Sequence, residues 1–260
     1  MNILKEFFGY GGYQREPEGA YSWQHLVFVI SVTIIMIGLA IFLGLRNRNK
    51  DDKSKNKILI WAALLIDGFE ILKLIIFATR AHNLAILKTT LPLFLCSIQL
   101  ITIPVAAFSK GRIREACLDF VLIFGLIGGV AGTIGAAQNY NAYPVLAFDN
   151  IVSAITHNIS AFSSLYIMIS KMVSLKKENI WITVSILFFF VAMAMLANAT
   201  LHYNYMFLRS HDGTPYVIFW NLVGGNKVLY PMTVILSFLL IMTIHYLIYY
   251  LVVCKKQKAQ

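Results

Sequence analysis

Residues 26–45 read LVFVISVTIIMIGLAIFLGL, and residues 46–57 read RNRNKDDKSKNK. The first run carries no charge and is long enough to cross a hydrocarbon core of about 30 Å as a helix. The second run is a short block of six lysines and arginines, tempered only by Asp51 and Asp52. An apolar run followed by a basic block marks a membrane span whose next loop stays in the cytoplasm. This pair of segments predicts the fold class, and the rest of the chain repeats it.

Further apolar runs follow at about 58–79, 91–108, 116–137, 146–170, 181–201 and 229–253. Together with 26–45 they predict an all-α, polytopic bundle of seven transmembrane helices forming one integral membrane domain over 1–260. Pro92 and Pro104 fall in the third run, and an interior proline there predicts a kink. The composition agrees: 58% of the 260 residues are hydrophobic and 13% are charged, well below the usual charge of a soluble domain. The segments outside the runs are too short to build a soluble domain.

Basic residues fix the expected orientation. The loops 46–57, 109–115, 171–180 and 254–260 hold six, three, three and three of them, whereas the alternate set holds only Lys5, Arg15, Arg80, Lys88, Arg209 and Lys227. Every alternate loop agrees, so the N-terminus is expected outside and the C-terminus in the cytoplasm of a multi-pass cell-membrane protein. The net charge of +10 is therefore topology chemistry, and membrane lipid, not nucleic acid, is the expected partner. Cys96, Cys117 and Cys254 form no CxxC pair, so neither a disulfide framework nor a zinc site is expected. No cofactor or metal is indicated, no cleavable signal peptide is expected at the N-terminus, and the sequence carries no signature of an oligomeric state.

Polar side chains inside spans need a partner or a task. Asp67, Glu70 and Lys73 lie along one side of the second run, with an ion pair expected between Glu70 and Lys73. The fourth run holds Gly125, Gly128, Gly129 and Gly132, spaced for close helix packing. In the fifth run Asn150, Ser153, His157, Ser160 and Ser164 share one helical face, with Asn158 beside it. In the third run Cys96 and Gln99, three apart, share one helical face, with Ser97 between them. Asn198 and His202 close the sixth run. Counting depth along the helices places these groups in the outer half of the bundle, as a pocket open to the outer leaflet. A cysteine and a histidine are also the minimum set for an activated thiolate.

Four blocks carry a resemblance: Ser22-Trp23-Gln24-His25-Leu26; Leu91-Pro92-Leu93-Phe94-Leu95-Cys96-Ser97-Ile98; the run around Thr156-His157-Asn158 ending in Leu165-Tyr166; and Asn204-Tyr205-Met206-Phe207-Leu208. In these blocks the chain resembles the bacterial YwaF-like membrane proteins and their eukaryotic relative, transmembrane protein 164. The resemblance implies a seven-helix fold shared with the androgen-induced membrane hydrolases. It also implies phospholipid acyl transfer by a cysteine and a histidine, roles that fall on Cys96 and His157. The family block usually reads LPLHLCS, and Phe94 stands here in place of its histidine.

Two functions remain open at this point. One is a lipid acyltransferase or lipid hydrolase in which Cys96 attacks an ester, His157 is the base, and Ser97, Gln99 or Asn198 donates to the oxyanion. The other is a non-catalytic transporter or binding protein using the same polar residues (Glu70, Lys73, Gln99, Asn150, Ser153, Asn158, Asn198 and His202). The absence of repeat halves counts against transport. A retinal photoreceptor is excluded, because residues 229–253 contain no lysine.

Overall fold

The computed structural model describes residues 3–172 and 175–258, with side chains as far as Val252. Cys254 and the C-terminal lysines are thus outside the described side chains. The described residues are helical with no strand, as a bilayer demands of any segment that must satisfy its own backbone. The chain divides into two compact units. The first comprises residues 1–92 and 99–174, the second 93–98 and 175–260.

In the first unit, α1 (Ile3–Phe7) leads into α2 (Trp23–Asn47), α3 (Asp52–Ala81), α4 (Gln99–Phe108), α5 (Gly111–Ile134), α6 (Ala137–Ala142) and α7 (Phe148–Ile169). The helices start where the sequence supplies caps. Ser22 accepts from the His25 amide, and Asp51 accepts from the Ser54 amide. The basic loop is therefore shorter than expected, because Asp52 to Lys57 form the first turns of α3. Helix α2 buries Val29, Met36 and Ala40 and leaves Ile30, Ile34, Ile41 and Leu45 outward, a face suited to lipid.

The two ends of this unit are tied differently. At one end Asn56 donates to the Ala107 carbonyl at 2.7 Å, Arg114 pairs with Asp52 at 2.7 Å, and Tyr166 donates to the Lys55 carbonyl at 2.9 Å. At the other, the N-terminal segment crosses the helix ends. There the Ala20 amide donates to Asn141 at 2.7 Å, and the Val145 amide donates to Glu18 at 2.8 Å. Within this unit the segments 46–57 and 109–115 thus meet at one end, and the N-terminal segment meets residues 141–145 at the other.

The second unit contains α8 (Ile180–Leu201), α9 (Val217–Leu222) and α10 (Leu229–Lys258). Helices α8 and α10 run antiparallel. Thr183 near the start of α8 is 3.1 Å from the Tyr246 hydroxyl near the end of α10, and the Lys177 ammonium sits 4.0 Å from the Tyr250 ring centroid. Between them residues 202–228 fold into a compact knot.

Among the described residues five helices are long and apolar enough to cross a membrane: Trp23–Asn47, Gly111–Ala142, Phe148–Ile169, Lys177–Leu201 and Leu229–Val252. Two expected spans differ. Helix α3 has 30 residues, about 45 Å, and carries Asp67, Glu70 and Lys73. Helix α4 has only 10, about 15 Å, with Pro104 inside it. The apolar run 91–108 is thus helical only from Gln99. Residues 91–98 are turn and irregular backbone.

Candidate functional site

The residues singled out in the sequence fall into two groups. Glu70, Lys73, Gln99, Asn150, Ser153, His157 and Asn158 belong to the first unit, and Cys96, Asn198 and His202 to the second.

In the first unit, α5 and α7 meet along a seam that only glycine permits. A Cβ at Gly125 would lie 2.9 Å from the Ser160 carbonyl, and one at Gly129 would lie 2.5 Å from the His157 carbonyl. At Gly132 a Cβ would overlap the His157 imidazole itself. The seam runs through Gly125, Gly129 and Gly132. The α7 stripe is threaded into it, with Ser160 donating to the Gly125 carbonyl at 3.2 Å and Ser164 to the Leu122 carbonyl at 2.8 Å. Asn158 donates to Thr133 and to the Ala154 carbonyl, and Asn150 donates to the Tyr143 and Pro144 carbonyls. These polar groups hold the helices in register, so much of the stripe has structural work.

His157 is different. Its Nδ1 lies 2.7 Å from the Ser153 carbonyl, with the Ser153 hydroxyl 3.4 Å away. A carbonyl only accepts, so in the neutral ring Nδ1 carries the proton and Nε2 keeps the lone pair. The ring is thus oriented by its own helix and by Gly132, with Nε2 as its basic atom. Glu70 and Lys73 form the expected pair at 2.6 Å. They extend the buried face that starts at Leu59, Ala62 and Ile66. Gln99 is fully buried. Its carbonyl oxygen accepts from Thr102 at 3.1 Å, and its amide nitrogen has no hydrogen-bond partner among the described residues.

In the second unit, Cys96 lies in the turn 94–98 and not on a helix, so the helical-face and depth arguments do not apply to it. The Phe94 amide donates to the Ser97 hydroxyl at 3.0 Å, and the Ile98 amide closes onto the Phe94 carbonyl at 3.0 Å. Phe94 anchors the turn among aromatic rings, with centroids 5.3 Å from Tyr205 and 5.5 Å from Phe207. Phe207 in turn stacks on Tyr216 at 5.4 Å. Cys96 is half-buried and, among the described residues, in no disulfide. Burial, reinforced by repulsion from a charged Cys96 or Tyr230, pushes the Tyr216 phenol up to about 12. The Tyr216 phenol is a hydrogen-bond donor in the same unit as Cys96.

The knot around it is strained and tightly held. Met206 and Phe207 have φ of 55° and 56°, conformations costing about 1–3 kcal/mol each. Asn198 clamps the Tyr205 peptide from both sides, accepting from its amide at 2.6 Å and donating to its carbonyl at 3.0 Å. Asn204 accepts from the Arg209 amide at 2.8 Å and donates to the Ser210 carbonyl at 2.8 Å. Arg209 donates to the Asn198 and Tyr203 carbonyls, each at 3.3 Å.

Sequence reasoning passed over two groups. Arg80 grips Asp149 with two bonds of 2.7 Å, and Tyr13 donates to the same carboxylate at 2.5 Å. Burial and that bond hold the Tyr13 phenol above its usual range. The available signal was an aspartate at the mouth of an apolar run, which needs a cation. The second group, Arg209 and Lys227, had been counted only as loop charges. Both line a cavity of about 300 Å³ with Asn198 and His202. Among the described residues no cluster of three or more His, Cys, Asp and Glu is placed to hold a metal ion.

Long apolar helices with charges paired along packed faces define a polytopic helical membrane protein. The chain belongs to the TMEM164 family, which it matches over residues 20–250. That stretch contains all four quoted blocks. No curated protein and no solved structure matches the chain.

Proposed function

We propose that this protein is a membrane enzyme that transfers acyl groups between lipids, with Cys96 as nucleophile. The observation that carries the reading is the placement of Cys96. It stands half-buried in the turn 94–98, whose backbone is held by Phe94 and Ser97, whereas Cys117 is buried within a helix. In this reading the Cys96 thiol loses its proton, and the sulfur attacks the ester carbonyl of a donor lipid. The tetrahedral oxyanion accepts a hydrogen bond, for which Tyr216 is the donor in the second unit. The lipid alcohol leaves protonated, and the thioester passes its acyl group to an acceptor hydroxyl, or to water in the hydrolase version. The family resemblance assigns the base to His157, and the tautomer set by Ser153 makes Nε2 the atom that takes the proton.

We also assign the chain to the YwaF-like branch as a single membrane domain of seven spans. Its N-terminus is outside and its C-terminus in the cytoplasm. The two like-sided groups of loops in the first unit support that alternation.

A non-catalytic lipid- or solute-binding role is the second reading. It is favoured by Phe94, which fills an aromatic cluster where the family usually has a histidine, and by the structural use of the α7 stripe. Lipid composition of cells lacking the gene, complemented with wild type or Cys96→Ala, separates the two. The enzyme reading expects a shift in acyl-chain distribution that wild type restores and Cys96→Ala does not. Equal restoration by both removes Cys96 as nucleophile.

A further inference from the structure

The cavity in the second unit has a mixed lining. Met195, Leu208 and Pro231 at the start of α10 supply apolar surface, and Arg209, Lys227 and His202 supply basic groups. Lys227 forms no ion pair among the described residues, and Arg209 uses one guanidinium nitrogen on two backbone carbonyls. The acid of the knot, Asp212, is engaged by Asn204 and Ser210. The remaining acid of this unit, Glu178, lies at the opposite end of α8. No acidic residue lines the cavity, so two cations stand there among apolar side chains. Met195 is 51% exposed on α8 and Met232 is 54% exposed on α10, so the apolar surface continues onto the faces suited to lipid.

From this we infer that the cavity at the joined ends of α8 and α10 is a phosphate-binding pocket, with Arg209 and Lys227 holding the anion. Its ligand chemistry is a phosphate ester, supplied by a phospholipid headgroup or by free phosphate. A guanidinium and an ammonium are the two side chains best suited to that anion, and the volume accommodates a headgroup with the first carbons of its chains. The left-handed turn at His202, φ 54°, brings the chain back over the end of α8, and Arg209 lines the cavity there. The pocket is a binding site in its own right and does not depend on the chemistry at Cys96.

The test uses the full-length protein in a neutral detergent. Native mass spectrometry reads binding of phosphatidylglycerol, of diacylglycerol with the same chains, and of phosphatidylglycerol in competition with inorganic phosphate. Phosphatidylglycerol is expected to bind at least tenfold more tightly than diacylglycerol. Lys227→Glu, an exposed change, should weaken it about tenfold and Lys227→Arg should not, since each cation near a phosphate contributes about fivefold. Displacement by millimolar phosphate assigns the site to the anion from either source; resistance to it assigns the site to the lipid form. Equal binding of diacylglycerol, or unchanged binding by folded Lys227→Glu, overturns the inference. Cys96→Ala should retain phospholipid, so loss of acyl transfer with binding kept separates this pocket from the enzyme reading.

Discussion

At the scale of single residues, the most constrained atom in the first unit is the missing Cβ of Gly132. The His157 ring occupies that space, and Ser153 fixes the ring from the other side. Gly132→Ala should force α5 and α7 apart or turn the imidazole away, at a cost of about 1–3 kcal/mol. Thermal unfolding in detergent should show a fall in Tm, whereas alanine at Gly38, where nothing lies within 4 Å, should not lower it. An unchanged Tm for Gly132→Ala would mean the seam is looser than described. The Glu70–Lys73 pair was legible in the sequence because two opposite charges three apart on a membrane helix have few other options. The environment of Phe94 was not, because no local pattern announces that Tyr203, Tyr205 and Phe207 return to surround it.

Among the elements, hydropathy located helices well and ended them poorly. The run 91–108 is apolar throughout, yet its first eight residues are not helical. Hydropathy reports what a segment is buried against, not the conformation of its backbone. Pro92 disfavours helix in the residue before it, and the aromatic cluster supplies an apolar site for a turn. Helix α3 shows the reverse: Asp51 caps it several residues before the apolar run begins. The N-terminal strap had no periodic signal at all, since it is held by Asp149 through Tyr13 and Arg80. Removing one partner of a buried ion pair costs about 3–5 kcal/mol, and Asp149 is 4% exposed. Asp149→Ala should therefore free the strap, and limited proteolysis should cut within residues 8–20 of the variant well before the wild type. Equal cutting of both proteins would show that the strap is held elsewhere.

For the molecule as a whole, two claims go beyond the family assignment: the topology and the chemistry. The proposed topology puts Lys53 and Lys176 in the cytoplasm and Tyr13 and Asn141 outside. Single cysteines at these positions, labelled in intact cells with an impermeant reagent, should react at 13 and 141 and stay silent at 53 and 176. Reaction at 53 would reverse or break the seven-span arrangement. The proposed chemistry draws on two sources. The blocks singled out Cys96 and His157, while Tyr216 and the knot that holds it depend on contacts between distant segments that spacing does not record. The central proposal is that Cys96 is the nucleophile, and a lipid-like electrophilic probe tests it most directly. Mass spectrometry of the labelled protein should find the probe on Cys96 in preference to Cys117 and Cys254, with His157→Ala weakening that modification. Equal labelling of the three cysteines, or full labelling of Cys96 in folded His157→Ala, would contradict the account.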